Sequence, residues 1–598
     1  MWNLYCFFFK NEYISIMFFV SKRIARPFWV AGLTITLVIT VGTTQAFADT
    51  PITNQAELEA IGTDAPSLAG SYVVTRSFEV VGPVSGGSTY VTGTFTGSFD
   101  GGGFKISGLT KPIFTEVGSG SVISALNLKA DVLLGVSGRG ILANDSYGTI
   151  NNVNVTGSVA GADYVGGLVG TSAGSISDSS ATGDVSGTSD VGGLVGYSSG
   201  SISDSSARGN VNGGYNSGGL VGVSAGSISA SSSYGNVNGT ISVGGLVGDS
   251  SGAILNSSAS GDVSGSFYVG GLVGNSTSSI SGSYSEGDVL NTNDFSGGLV
   301  GYSTGNISNS YTVSSVTGND VVGGLIGYQY GGNVSNSYAT GAVVGCDEIG
   351  GLVGYQDDSR ISNSYASGDV VGNSNVGGLV GTNYGGSPVI DNSYAAGAVN
   401  GFRFVGGLVG DNFALLTHSY SSGVVTSTEV DYIGTFIGGS NTEITDDSGH
   451  LEVPFTNNEI LNILNRGSDG DPIFALNPAI NSGLPYLISN APPGTNNDNQ
   501  FTRRVSLSFL PIQVLDGLRK SVGLEVVKGD LNKLDLALLD QVKDDKAAEI
   551  IGAKLFAYQS LTTYLPVGSL LQLEITFEAN KSLQMWVKSF DGQYVFGR

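Results

Sequence analysis

YVGGLVGTSAGSISDSSATGDVSGTSD occupies residues Tyr164 to Asp190. Three short β-compatible pieces lie around Leu168-Val169, Ile176 and Val185, separated by Gly and Ser clusters, and none has the length or spacing of a helix. The GGLVG string recurs with its Leu at Leu168, Leu194, Leu220, Leu246 and Leu272, 26 residues apart. It continues at Leu299, Leu325 (GGLIG), Leu352, Leu379 and Leu408, at spacings of 26 to 29. A fixed period of this size marks stacked units that share one core, not separate domains. Three short strands per coil of ~26 residues predict an all-β fold, a right-handed parallel β-helix with coils about 4.8 Å apart. Propeller blades need about 40 residues and do not fit. Roughly a dozen coils would make a rod on the order of 55 Å long.

Working outward, degenerate copies flank the clear ones. Ile141-Leu142 precedes Gly167-Leu168, Ile113-Phe114 precedes that pair, and Phe436-Ile437 follows Leu408-Val409. The predicted organisation is an N-terminal cap and first coil at 49–110, the β-helix at 111–450 and a closing segment with a short helix at 451–490. A polar linker at 491–500 leads to a β-rich domain at 501–598. The cap contains a short helical pattern over Asn54 to Ile61. In the last domain, alternation over Leu570 to Phe577 predicts a β-sandwich-like fold, with a helix between about Asp540 and Ala557.

The 598 residues include 94 Gly, and charged residues make up only 12%. The formal charge of −24 disfavours nucleic acid as a partner. Lys22, Arg23 and Arg26, the apolar run Phe28 to Val41 and Ala46-Phe47-Ala48 read as a signal peptide over 1–48, with Met1 or Met17 as start. The apolar run is short for a membrane span, so the membrane enters only through export. Removal of that segment takes Cys6 and leaves Cys346 without an internal partner. Cys346 reads as a small buried residue beside a strand, with an intermolecular disulfide as the alternative.

The repeated GGLVG, the preceding FTGSFDGGGFKISGL and the closing FALNPAINSGLPYL resemble the GLUG motif and its companion segments in bacterial surface proteins. The resemblance covers about residues 50–490. It implies an exported, adhesin-like protein built on a motif with no activity of its own. GLUG repeats also occur beside some immunoglobulin A metalloproteases.

Chemistry is sparse in the repeats. The two histidines, His418 and His450, form no HExxH, which argues against a zinc protease. His418 falls in a column otherwise held largely by Asn. Asp178 and Asp204 would stack about 4.8 Å apart, close to the spacing of glycosidase carboxyls, but any repeat stacks its equivalents so. Their column continues as Ala230, Asn256, Gly282, Asn309, Asn336, Asn363 and Asn392. Asp184, Asp262, Asp288 and Asp369 read as turn acceptors, with Ca2+ as the alternative. Arg208, Arg360 and Arg403 occupy three different columns, which disfavours a polysaccharide lyase.

A Tyr column runs through the second half: Tyr284, Tyr311, Tyr338, Tyr365, Tyr394 and Tyr420. Simple strand alternation places Ile307, Asn309 and Tyr311 on one face, which gives an internal aromatic stack. Exposed instead, the column would offer sugar rings a platform, and these six residues are the candidate ligand-binding set. With no catalytic set and no cofactor assigned, the sequence reads as a non-enzymatic surface protein. Its expected partners are extracellular glycans or proteins on host or neighbouring cells. The alternative is a carbohydrate-binding or polysaccharide-cleaving β-helix.

Overall fold

The computed structural model describes residues 49–81, 88–134, 137–385, 389–427 and 433–440 as near-continuous chain. It also describes short elements at 4–11, 14–21, 35–38, 449–450, 474–475, 485–488, 503–508, 570–577, 581–590 and 593–597, with residues 461 and 465. The repeats form a parallel β-solenoid. One long sheet of fourteen strands runs from Val91–Phe95 to Ile437–Ser440, and a second of twelve runs from Ser137–Arg139 to Ile433–Gly434. At the usual inter-strand spacing the fourteen strands span about 60 Å.

Each coil holds more than the three strands the sequence predicts. The coil of the quoted repeat has five, at Asp163–Gly166, Val169–Ser172, Ile176–Ser177, Ser180–Thr182 and Val185–Ser186. The extra pieces arise because the chain bends at two residues per coil that adopt the left-handed conformation, all but Gly282 of them non-glycine. One corner column is Asp178 (φ 50°), Asp204, Ala230, Asn256, Gly282, Asn309, Asn336, Asn363, Asn392 and His418. The other includes Tyr164, Asp190, Asn216, Tyr268, Phe295, Val321, Glu348 and Phe404. A left-handed residue costs roughly 1–2 kcal/mol, least for Asn and Asp, whose short side chains bond locally. That preference explains the Asn-rich first column.

Register keeps equivalent residues stacked: Val169 pairs with Val195, and Ile176 with Ile202. All ten repeat Leu residues, from Leu168 to Leu408, are fully buried in one core that extends from Ile52 to Phe436. The Gly-Gly pair ahead of each Leu is a close-approach requirement. A Cβ on Gly193 would sit 2.2 Å from the Gly219 carbonyl oxygen, and one on Gly192 would sit 2.0 Å from that of Val195.

A buried hydroxyl ladder completes the first corner. The residue after the left-handed one points inward and is Ser in every coil from Ser179 to Ser419. The Ser205 backbone N–H donates to Ser231 Oγ at 3.2 Å, and Ser231 Oγ donates to the Ser229 carbonyl at 2.8 Å. The same pair of bonds recurs at Ser257, Ser283, Ser310, Ser337, Ser364 and Ser393. Ser therefore satisfies a buried donor that the bend withdraws from the backbone ladder.

The N-terminal end is closed by the helix Gln55–Ala60, where the sequence places it. Asn54 caps it by accepting from the Glu57 N–H at 3.1 Å, and Leu58 and Ile61 are buried beneath it. Cys346 departs from expectation: it is exposed, because it occupies a corner where its N–H donates to the Asn319 carbonyl rather than a strand beside the core. The strands Leu4–Asn11, Ile14–Ser21 and Ile35–Val38 form an antiparallel sheet. No helix among the described residues is long and apolar enough to cross a membrane. Among the described residues of 501–598, Arg503–Ser508, Leu570–Phe577, Lys581–Phe590 and Gln593–Gly597 form a four-stranded sheet, and the rest of the predicted sandwich lies outside the described residues. The helix expected near 540–557 and the linker 491–500 lie outside the described residues.

Ser231→Ala should leave the buried Ser205 N–H unpaired and cost about 1–3 kcal/mol. Ser203→Ala, at a half-exposed position, should stay within about 0.5 kcal/mol. Urea denaturation of the two variants checks the contrast.

Candidate functional site

The six tyrosines of the candidate set do form one stack. Ring centroids are 5.0 Å apart for Tyr284–Tyr311, 4.9 Å for the next three pairs and 5.1 Å for Tyr394–Tyr420, with interplanar angles of 12° or less. Its position differs from simple alternation. The left-handed residue at 309 breaks the alternation, so Ser310 and Thr312 turn inward and Tyr311 turns out. The stack is thus not internal to the solenoid. Yet Tyr338, Tyr365, Tyr394 and Tyr420 are at most 1% exposed, because the closing segment covers them. Phe474 and Leu487 join them in a second core, with Leu461 packed against it. Tyr394 Oη donates to the Pro485 carbonyl. Burial raises the phenols of Tyr338, Tyr365 and Tyr420 well above their ordinary pKa. These four rings offer no open platform for a sugar; Tyr284 and Tyr311 are half-buried.

The Asp and Asn side chains of the repeat hold coils together. The Asn210 N–H donates to Asp184 Oδ1 at 2.8 Å, the Asp288 N–H to Asp262 Oδ1 at 3.0 Å and the Ala398 N–H to Asp369 Oδ1 at 2.9 Å. These carboxylates act as turn acceptors. Among the described residues no three His, Cys, Asp or Glu side chains converge to hold a metal.

His418 sits at its corner with φ 45°. Its Nδ1 lies 3.1 Å from Asp391 Oδ1, and Arg360 pairs with Asp391 Oδ2 at 2.9 Å. Burial opposes the charge of Asp391, but hydrogen bonds from Thr417, His418 and Arg360 outweigh it and hold the carboxyl below its usual range. Of the three arginines singled out in the sequence, Arg360 alone joins this cluster. Arg208 lies over the Tyr234 ring and Arg403 over Phe404.

A second aromatic cluster has no counterpart in the sequence reading. Tyr302, Tyr328 and Tyr355 point outward from the long sheet and stack at 5.3 and 5.1 Å. Phe295, at the second corner, meets Tyr302 and Tyr328 edge-on. The strands Ile326–Tyr330, Val353–Asp357 and Val380–Tyr384 are one residue longer than most of their neighbours in that sheet. The added outward position carries Tyr330, Asp357 and Tyr384 in register. The readable signal is the Tyr that follows the motif, in GGLVGY and GGLIGY.

Carboxylates gather beside this cluster. The Asp347 N–H donates to Asp320 Oδ1 at 3.3 Å, and Glu348 stands next to both in charge terms. Burial, then repulsion from Asp320 and Asp347, pushes the Glu348 carboxyl up to about 7. Burial, then the charges of Glu348 and Asp357, pushes the Tyr355 phenol up to about 12. Tyr328 Oη donates to Asp357 at 3.4 Å, and its phenol is raised as well, mainly by burial.

Two outcomes follow. Glu348 is protonated more readily folded than unfolded, so its contribution is least adverse at low pH and worsens as pH rises from about 4.5 to about 7. Glu348→Gln should remove that slope and stabilise the chain at pH 8 by up to about 3 kcal/mol, read by denaturation at pH 5 and pH 8. Tyr365→Ala should cost about 3–5 kcal/mol and speed proteolysis within residues 461–487, while cleavage among the earlier coils stays unchanged.

Six stretches match the GLUG motif, at 161–186, 187–212, 265–290, 318–344, 345–371 and 372–400. Residues 58–157 match the M26 IgA1-specific Metallo-endopeptidase N-terminal region. Halomucin of Haloquadratum walsbyi is 40% identical over 84 residues, 13% of this chain and 1% of halomucin. The Immunoglobulin A1 protease of Streptococcus sanguinis is 37% identical over 111 residues, 17% of this chain and 6% of the protease. The chain therefore spans only a small part of the relatives it matches. A solved IgA1 Protease structure aligns with 19% identity and a TM-score of 0.26, over 56% of this chain and 25% of that one. The expectation of a non-enzymatic protein is corrected here, because the match at 58–157 and the IgA1 protease relative point to a protease family. The residues present do not fit a metallo-endopeptidase metal centre: the chain has two histidines and no HExxH, and no metal-holding cluster occurs among the described residues. The chain carries the GLUG motif as the repeating unit of its solenoid.

Proposed function

We propose that this chain is part of an exported bacterial surface protein, in which the solenoid serves as stalk and adhesive face. The observation that carries this reading is the fourteen-stranded parallel sheet from Val91 to Ser440, which gives a stiff rod of stacked coils. A rod of this kind holds outward columns at fixed spacing and distance from its base. Extracellular glycans, or proteins on host or neighbouring cells, are the partners such a face would meet. Residues 1–48 would direct export. The similarity to halomucin and to the Immunoglobulin A1 protease supports an extracellular setting.

The match at residues 58–157 favours a second reading. Here the solenoid is the substrate-holding part of a protease related to the IgA1-specific metallo-endopeptidases. Immunoglobulin A1 would then be retained by the chain.

Expression of the full chain in a bacterial host separates these readings. Surface proteolysis should release fragments of the solenoid, and deletion of residues 1–48 should keep the chain inside. Cells displaying it should adhere to epithelial monolayers more than control cells do. Retention of the intact chain in the cytoplasm would overturn the surface reading. Immunoglobulin A1 captured by the purified chain would establish the second.

A further inference from the structure

We propose that the outer face formed by the coils from Phe295 to Tyr384 is a docking site for an extended, Arg- or Lys-rich polypeptide segment. This deepens the reading of the solenoid as an adhesive face, and its test does not depend on where the chain resides.

Three observations select that occupant. The first is ring geometry. Tyr328 is stacked on both sides, by Tyr302 at 5.3 Å and Tyr355 at 5.1 Å, so the ladder presents ring edges and hydroxyls outward. A sugar ring needs an open aromatic face, and this ladder has spent its faces on itself. Tyr330 and Tyr384, beside it, are 48% and 49% exposed, and Tyr384 is itself held by Tyr355 and, edge-on, by Phe413.

The second is charge. Asp320, Asp347, Glu348 and Asp357 flank the ladder. The ion pairs of Asp391 with Arg360 and His418 involve none of these four carboxylates. Arg presents a planar fork that binds carboxylates in pairs and packs on Tyr rings, which fits carboxylates interleaved with exposed tyrosines.

The third is spacing. Tyr330, Asp357 and Tyr384 occupy one outward position on three consecutive coils, in register. Coils lie about 4.8 Å apart, so an extended peptide along the rod would bring a side chain to the face at every one or two coils. The face is also local. The equivalent long-sheet positions in the earlier coils are Thr171, Tyr197, Val223 and Asp249, and their strands stop at four residues.

Fluorescence anisotropy of the full chain with a fluorescein-labelled oligo-arginine tests this. Binding should weaken as salt rises. Asp347→Asn with Asp357→Asn should weaken it about tenfold. Both Asn side chains still accept the bonds from Asn373 and Tyr328, so the fold is kept. The charge-matched pair Glu79→Gln with Asp131→Asn, at exposed positions near the N-terminal end, should change it less than about twofold. Tyr384→Ser should weaken binding, and Tyr147→Ser, also exposed, should not. Equal losses from both charge pairs would reduce the effect to net charge and overturn the proposal. So would absence of peptide binding, or a neutral oligosaccharide that binds this face in the peptide's place.

Discussion

The solenoid depends on how each coil turns without losing a buried backbone hydrogen bond. At the first corner one residue per coil takes a left-handed conformation, and the next backbone N–H points into the core. The strand ladder cannot reach that donor. A hydroxyl from the following coil does, and the same hydroxyl returns its own proton to a carbonyl two residues back. A short side chain with one donor and room for two acceptor contacts is needed there, which is what Ser provides. The Ser–Ser, Asn–Ser and Asp–Ser pairs of the repeat are thus a structural joint and not a low-complexity filler.

That joint decides which side chains face out. Without a left-handed residue, Ile307 and Tyr311 would share a face, and the Tyr column would crowd the core. With it, the column stands outside and builds a core of its own with the closing segment. The solenoid therefore has two hydrophobic cores separated by one sheet: an aliphatic one inside, and an aromatic one laid on the flank of its last coils. The closing segment is anchored by Phe474 and Leu487 packed on the tyrosine stack, with the bond from Tyr394 to Pro485 fixing its path.

The period, the Leu and Ile columns, the parallel stacking, the cap helix and the turn-acceptor role of Asp184 and its equivalents were all legible in the sequence. They follow from patterns that repeat, and repetition averages away local accident. The orientation of Tyr311 was not, because it turns on one dihedral angle at Asn309 that alternation ignores. Exposure of Cys346 was hidden for the same reason: corners, not strands, set it. The aromatic ladder at Tyr302, Tyr328 and Tyr355 was hidden differently. Its residues follow immediately on the motif that reveals the coil, so they read as part of a conserved-looking string rather than as departures from it. The relation of residues 58–157 to a protease family lies outside physical pattern altogether, since a cap and first coils look alike whatever they are attached to.

Repetition also sets an electrostatic constraint, and it presses hardest in one region. Like charges in one column would stand about 4.8 Å apart, at a cost near 1 kcal/mol even in water. The chain meets this partly by dilution, since Asp184 is followed by Asn210 and Asn236, and partly by backbone N–H groups that bind the acids, as where Asp262 and Asp288 stand on consecutive coils. Between Asp320 and Asp357 the acids crowd most closely. Asp320 and Asp347 are in bonded contact, Glu348 is left-handed and half-buried beside them, and its carboxyl is driven up to about 7. A Gln at 348 would keep the bend and shed the charge, so the solenoid does not require an acid there. The chain tolerates backbone strain, burial and repulsion at one place on an otherwise uniform rod, beside its half-exposed aromatic ladder. In a structure whose core cannot vary without breaking register, such tolerated cost on the outside is where recognition has room to reside.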